Sequence, residues 1–246
     1  MSEPVPALTL RGVTKSFGPK RVLDGLDLSV AQGESLVVIG GSGTGKSVLL
    51  KSILGLETPE SGQILWLGQP LAPRLTQFMD GFGMLFQGAA LFDSLSVWQN
   101  VAFRLRHLGP RRARDIAVEK LARVGLGPEV ADLYPAELSG GMAKRVGLAR
   151  AIAANPSVIF FDEPTTGLDP IRATMVNRLI RSIVTETRAT AITITHDMTS
   201  VREIADRVAW LSAGRIGWHG PVAALDATPD PHLRAFVRGE PYVTDL

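Results

Sequence analysis

Short apolar runs separated by turn residues dominate the first third of the chain. "ALTLRGVTKSF", "RVLDGLDLSV", "ESLVVIG" and "GQILWLG" each carry such a run, with Gly, Pro and Asp between them, which predicts strands. Only "ESLVVIG" leads directly into a glycine-rich turn and then a helix-forming stretch, Lys46 to Leu54. From Ser96 the period changes. Ser96 and Gln99 fit a capping box, and Val97, Val101, Leu105 and Leu108 fall on one helical face, which predicts a helix through them. A second helix, about Arg112 to Val124, follows the Gly109-Pro110 break. "LSGGMAKRVGLARAIA", Leu138 to Ala153, reads as a long amphipathic helix opened by a serine and two glycines. Apolar strands "SVIFF" and "TAITIT" flank a helix around Met175 to Val184, and such a strand, helix, strand order marks a buried parallel sheet. "DRVAWLSAGRIGWHG" reads as a hairpin turning near Ala213-Gly214, and a Pro-rich tail follows. There is no internal repeat.

The pattern predicts an α/β fold in a single domain over 1–246. Residues 1–87 and 156–225 form its core, with an antiparallel β subdomain at the N-terminal end. A helical subdomain is inserted over 88–155, and 226–246 is a C-terminal tail. Composition agrees: 246 residues, 45% of them hydrophobic, can fill a substantial core. A formal charge of +2 falls far short of the concentrated positive field of a nucleic-acid binder, so no nucleic-acid partner is expected. Zero cysteines exclude disulfides and thiolate metal sites. "MSEPVPALTL" lacks the basic start and apolar core of a signal peptide, and no apolar run approaches the roughly 18 residues of a membrane span. Any membrane role is expected to be exercised from the side.

"GGSGTGKS", Gly40 to Ser47, is a P-loop pattern, and it stands where that mechanism needs it, between an apolar strand and a helix start. Backbone N–H groups of Gly43, Thr44, Gly45 and Lys46 can wrap a β-phosphate; Lys46 can reach the β- and γ-phosphates, and Ser47 can ligate Mg²⁺. "SVIFFDEP" is an apolar strand ending in two carboxylates. Asp162 is placed for the Mg²⁺ shell and Glu163 to orient or deprotonate an attacking water. Taken alone, three residues stay open: His196 as phosphate contact or structural strand end, Gln87 as ligand or ordinary polar exit, Phe17 as adenine platform or turn cover. Ser139 caps its helix, and Gly140 and Gly141 let an anion approach the helix start.

In order along the chain, Phe17, "GGSGTGKS", Gln87, "LSGGM", "VIFFDEP", "GLDP" and His196 resemble the A-loop, Walker A, Q-loop, signature, Walker B, D-loop and H-loop of an ABC-type ATPase. The resemblance covers nearly the whole chain and implies a P-loop NTPase core of RecA-like type, with ATP and Mg²⁺ as cofactors. It implies nucleotide contacts at Phe17, at Gly40, Gly41, Ser42, Gly43, Thr44, Gly45, Lys46, Ser47 and Val48, and at Ser139, Gly140, Gly141 and Asp169. Metal ligation falls to Ser47, Gln87 and Asp162, and catalysis to Glu163, His196 and Gln87. It further implies a homodimer closing head to tail, in which Ser139, Gly140 and Gly141 of one chain cover the γ-phosphate held by the other.

A chain of this kind borrows its transport pathway. The surface expected to meet a permease lies along "GAALFDSLSVWQNVAF", where Leu91, Phe92 and Trp98 form a docking groove or pack the insertion's own core. Arginines 104, 106, 111, 112 and 114 read as a solvated helix face or as a contact for anionic lipid or an acidic partner. Met142 in "LSGGM", together with "GAALFDSLSVWQNV" after the Q-loop, "DPI", "IADRVAWLSAGRIGWHG" and "DPHLRAFVRG", resembles the ATPase of Mla/MCE-type phospholipid transporters. That implies a peripheral protein on the cytoplasmic face of the inner membrane. Its implied partners are membrane-embedded permease subunits, periplasmic MCE-domain subunits and a STAS-domain protein. The alternatives are an importer ATPase for a polar solute such as an amino acid, and a soluble ABC protein acting on nucleic acid or ribosomes.

Overall fold

The computed structural model describes residues 4–240. Its elements begin with β1 (Leu8–Phe17), β2 (Lys20–Val30), β3 (Ser35–Ile39), α1 (Lys46–Ile53), β4 (Ser61–Trp66), β5 (Gln69–Pro70), α2 (Leu75–Asp80) and β6 (Phe82–Leu85). Next come α3 (Val97–Val101), α4 (Pro110–Arg123), α5 (Gly140–Ile152), β7 (Val158–Asp162), α6 (Pro170–Thr187) and β8 (Thr190–Ile194). α7 (Met198–Ile204), β9 (Arg207–Ser212), β10 (Arg215–Pro221) and α8 (Pro231–Arg238) follow. The chain forms two compact units, one running to Met79 and resuming at Ile194, the other spanning Asp80–Thr193. Among the described residues no helix is long and apolar enough to cross a membrane.

The first unit holds an antiparallel sheet in the order β2-β1-β4-β5. Leu8, Leu10 and Val13 of β1 and Leu23, Leu26, Leu28 and Val30 of β2 face its core, so the alternation in the sequence sets which side is wet. In the same unit β3 runs parallel to β9, from Leu36 opposite Arg207 to Ile39 opposite Trp210. All five residues of β3 are buried, which is why it reads as a continuous apolar run. β9 turns into β10 through Ala213 and Gly214, both left-handed (φ 46° and 72°), the geometry a two-residue hairpin requires. The tail of this unit holds more structure than a trailing end. Asp230 accepts hydrogen bonds from the N–H groups of His232 (2.8 Å) and Leu233 (3.0 Å), Pro231 opens α8, and Leu233 and Val237 are buried.

In the second unit β8, β7 and β6 lie side by side, and β6 pairs parallel with β7 from Phe82 opposite Val158 to Leu85 opposite Phe161. The helix expected through Leu108 stops at Val101 and continues as a 3-10 turn over Phe103–Leu108. Three residues per turn still align Leu105 with Leu108. Tertiary contacts hold this tighter path: the Arg104 guanidinium donates to the carbonyls of Phe82 and Asp80, and the Arg106 guanidinium stacks 3.8 Å from the Phe103 ring centroid. Nor is α5 amphipathic. Gly141, Lys144, Val146, Gly147, Leu148, Ala149, Ala151 and Ile152 are all buried, because β6, α3 and α4 pack around it.

Glycines make that enclosure possible. A Cβ on Gly83 would run into the Ala151 carbonyl oxygen and stand 3.0 Å from Pro156 Cγ. Gly83→Ala is expected to lower stability by about 1–3 kcal/mol through overpacking, read as a shifted midpoint in urea unfolding.

Candidate nucleotide site

The loop after β3 belongs to the first unit. Gly43 (φ 77°) and Gly45 (φ 107°) take left-handed conformations that strongly favour glycine. A Cβ on Gly40 would strike the Leu211 carbonyl oxygen, and one on Gly45 would sit 2.9 Å from the Val22 carbonyl oxygen. Thr44 Oγ1 donates to the Gly41 carbonyl (3.0 Å), while Lys46 Nζ donates to the carbonyls of Gly40 (2.6 Å) and Gly41 (2.7 Å). These bonds curl the loop into a concavity of successive backbone amides, an anion-binding form. Gly45 offers α1 no side-chain cap and the first turn carries no acid, so the positive end of the helix is left for a phosphate. Ser42, Gly43 and Ser47 are exposed; Gly41, Thr44, Lys46 and Val48 are half-buried, and Gly40 and Gly45 buried.

Two more expected residues belong to this unit. Phe17 ends β1 with 46% of its surface exposed, and Lys15 Nζ lies 5.2 Å from its ring centroid. His196 is exposed just beyond β8, next to Asp197, which caps α7 by accepting from Thr199 N (3.0 Å), Ser200 N (3.2 Å) and Ser200 Oγ (2.6 Å). Burial alone would raise the Asp197 carboxyl. Those hydrogen bonds and the neighbouring His196 outweigh it and hold the carboxyl below its usual value of 3.8. Its contribution to stability is therefore full above that value and is lost as pH falls through the lower folded one. Asp197→Ala should cost about 1 kcal/mol in urea unfolding at neutral pH, and the two proteins should converge in strong acid.

The second unit carries the carboxylates and the serine-glycine helix start. Asp162 is the last residue of β7. Glu163 follows in a left-handed conformation (φ 47°), strained for a non-glycine residue, and its Oε2 accepts from Thr166 Oγ1 (3.0 Å). Gln87 is exposed just past β6, and Ala89 and Ala90 after it are also left-handed (φ 60° and 48°). Ser139 caps α5, its Oγ accepting from Met142 N (3.3 Å); Ser139 and Gly140 are exposed, Gly141 buried. Asp169 caps α6, with Oδ1 accepting from Arg172 N (3.0 Å) and Oδ2 lying 3.2 Å from Arg172 Nε. A Cβ on Gly141 would lie 3.4 Å from Arg172 Cδ, so Arg172 joins Asp169 to the start of α5.

Sequence reasoning missed Lys144. It is 6% exposed, and its Nζ donates to the main-chain carbonyls of Gln87 and, at 3.4 Å, Glu163. Burial lowers its pKa, and the charges of Asp162 and Glu163 oppose that shift. The available signal was a single lysine on the α5 line 144, 147, 148, 151, where the other residues are glycine or apolar. The five arginines expected as a solvated face are all exposed; Arg104 and Arg106 are engaged as above, and Arg114 pairs with Asp132 (2.5 Å). Phe92, 44% exposed, stacks on Phe103 with centroids 4.5 Å apart, while Leu91 and Trp98 are half-buried.

The Ser47 hydroxyl, the Gln87 amide and the Asp162 carboxylate are the hard oxygen donors that Mg²⁺ takes, and Mg²⁺ commonly needs only one or two protein ligands beside substrate phosphates. Their chemistry fits the ion. A strand-to-helix glycine nest, a lysine folded into it and a carboxylate pair ending a buried strand define a P-loop nucleoside triphosphatase. Residues 23–166 match the ABC transporter family model. The chain is 40% identical to the probable ribonucleotide transport ATP-binding protein mkl of Mycobacterium leprae over 95% of this chain and 69% of that protein. It is 38% identical to the intermembrane phospholipid transport system ATP-binding protein MlaF of Escherichia coli K12, over 94% of this chain and 88% of that one. The fold superposes on the dimeric post-hydrolysis ATP-binding cassette MJ0796 bound to ADP and Pi with a TM-score of 0.77 at 28% identity, covering 87% of this chain and 98% of that one. The chain belongs to the ABC transporter family and is an ATP-hydrolysing transporter subunit.

Proposed function

We propose that this ATPase drives phospholipid transport between bacterial membranes, as a peripheral subunit on the cytoplasmic face of an inner-membrane complex that maintains outer-membrane lipid asymmetry. The observation that carries this reading is the 38% identity to MlaF along 94% of the chain, joined to Met142 in "LSGGM" and to the "DPHLRAFVRG" segment that forms α8. Its partners are then permease subunits, MCE-domain subunits and a STAS-domain protein. Residues 88–155 act as the helical arm of one ATPase domain, and the exposed Phe86 and Phe92 belong to the permease-facing surface.

The hydrolytic cycle in this reading assigns each residue a role. The loop Gly40–Val48 binds the phosphates of ATP and Lys46 neutralises the β- and γ-phosphates; Ser47, Asp162 and Gln87 would hold Mg²⁺, which would supply polarisation of the γ-phosphoryl group. Phe17 stacks on adenine. Glu163, held by Thr166, takes the proton of the attacking water, and His196 senses the γ-phosphate. Ser139, Gly140 and Gly141 of a second copy donate to the γ-phosphate from the far side, and Asp169 lies at that dimer interface. The dimeric MJ0796 cassette supports the pairing.

Similarity to mkl, which carries ribonucleotide transport in its name, favours a second reading, an ATPase for a polar solute. Purification of the complex from membranes through a tag on this chain separates the two. Recovery of MCE-domain subunits and bound phospholipid is expected; recovery with a solute-binding-protein importer, and without either, overturns the lipid reading.

A further inference from the structure

We propose that Lys144 and Arg150 are positioning residues that clamp residues 87–90 to α5, so that Gln87 and Glu163 are held in one register with the helix that begins at Ser139. Lys144, Gly147 and Arg150 stand three residues apart along one ridge of α5. Lys144 Nζ donates to the Gln87 and Glu163 carbonyls. A Cβ on Gly147 would stand 3.2 Å from Ala89 Cβ, so the helix and the segment touch nearly backbone to backbone. Arg150 closes the far end, donating from Nη2 to the Ala89 carbonyl (2.6 Å) and from Nη1 to the Ala90 carbonyl (2.7 Å). Its guanidinium also lies 6.0 Å from the Phe86 ring centroid.

The chemistry of this clamp is unusual for mere packing. Taking a cation out of water is expensive, and an apolar side chain would fill the same space at less cost. What an apolar residue cannot do is fix carbonyl oxygens in place. The segment needs fixing, because Ala89 and Ala90 are both left-handed, a conformation that non-glycine residues keep only where surroundings over-determine it. Loosened, the segment would relax and carry the Gln87 side chain with it, while the P-loop contacts stay intact. The functional consequence rests on the ATPase reading of Gln87 and Glu163; the clamp itself rests on geometry alone.

Two measurements on the full chain test it. Hydrogen exchange without nucleotide reads the clamp directly: Lys144→Met should speed exchange at residues 87–90 by about tenfold or more, with β7 and α6 unchanged. Steady-state ATPase reads the consequence: kcat should fall by about tenfold or more while KM for ATP stays within about twofold, and Lys144→Arg should recover most of the rate. Arg150→Lys, which offers one head group to two carbonyls, carries the same test if Lys144→Met does not fold. The proposal is overturned by unchanged exchange at 87–90, by a kcat within twofold of wild type, by faster exchange throughout the unit, or by no rescue in Lys144→Arg. If the wild-type protein hydrolyses no ATP, the ATPase reading fails, and the exchange result alone decides the clamp.

Discussion

Glu163→Gln is expected to lower the ATPase rate by about 1,000-fold while ATP affinity stays within about twofold, general-base removal being worth roughly 100- to 10,000-fold. The substitution is nearly isosteric, and the amide oxygen can still accept from Thr166 Oγ1, so the left-handed turn after β7 should survive. What disappears is the carboxylate basicity that receives the water's proton. With binding intact and turnover stopped, ATP should accumulate on the protein and a dimer should persist in size-exclusion chromatography. Hydrolysis at the wild-type rate would remove Glu163 from the base role.

The second large effect rests on the proposed division of each site between two chains. Lys46→Ala strips the phosphate loop of its one ammonium, and Ser139→Phe blocks the exposed start of α5; each variant alone should be almost inactive, since losing one preorganised donor already costs about 100- to 1,000-fold. Mixed in equal amounts, they should recover about a quarter of wild-type activity. Half of the dimers are hybrids, and in a head-to-tail pair each hybrid keeps one intact site, the unaltered P-loop facing the unaltered serine. A mixture as inactive as its parts would show that each site is built within one chain.

Met142 bears on the second of these roles. Its thioether is no hydrogen-bond donor, and the contact it makes with the cap is through its backbone N–H, donated to Ser139 Oγ. Met142→Gln is therefore expected to leave the ATPase rate within about twofold, read in a steady-state assay.

Much of this was legible beforehand. The P-loop is local: its glycines, lysine and serine occupy consecutive positions, and the strand and helix that flank it carry clear periods. The Ala213-Gly214 hairpin and the carboxylates ending β7 were legible for the same reason. The helix predicted through Leu108 failed because one apolar face fits both a 3.6-residue and a 3-residue turn over so few residues. α8 was overlooked although Asp230-Pro231 is a cap and first-turn signal, because eight residues give too little periodicity.

The sequence by itself determined the class of chemistry, the buried strands and the conformation-setting glycines of the loop after β3, since each depends on residues close together in the chain. Only the tertiary structure decided that α5 is enclosed rather than amphipathic, and that Lys144 joins Gln87 to Glu163, residues 57 and 19 positions away. It likewise decided that Arg172 joins Asp169 to Gly141. Such contacts depend on which backbones come near each other, and no pattern of neighbours along the chain encodes where a long cationic side chain finds its carbonyls.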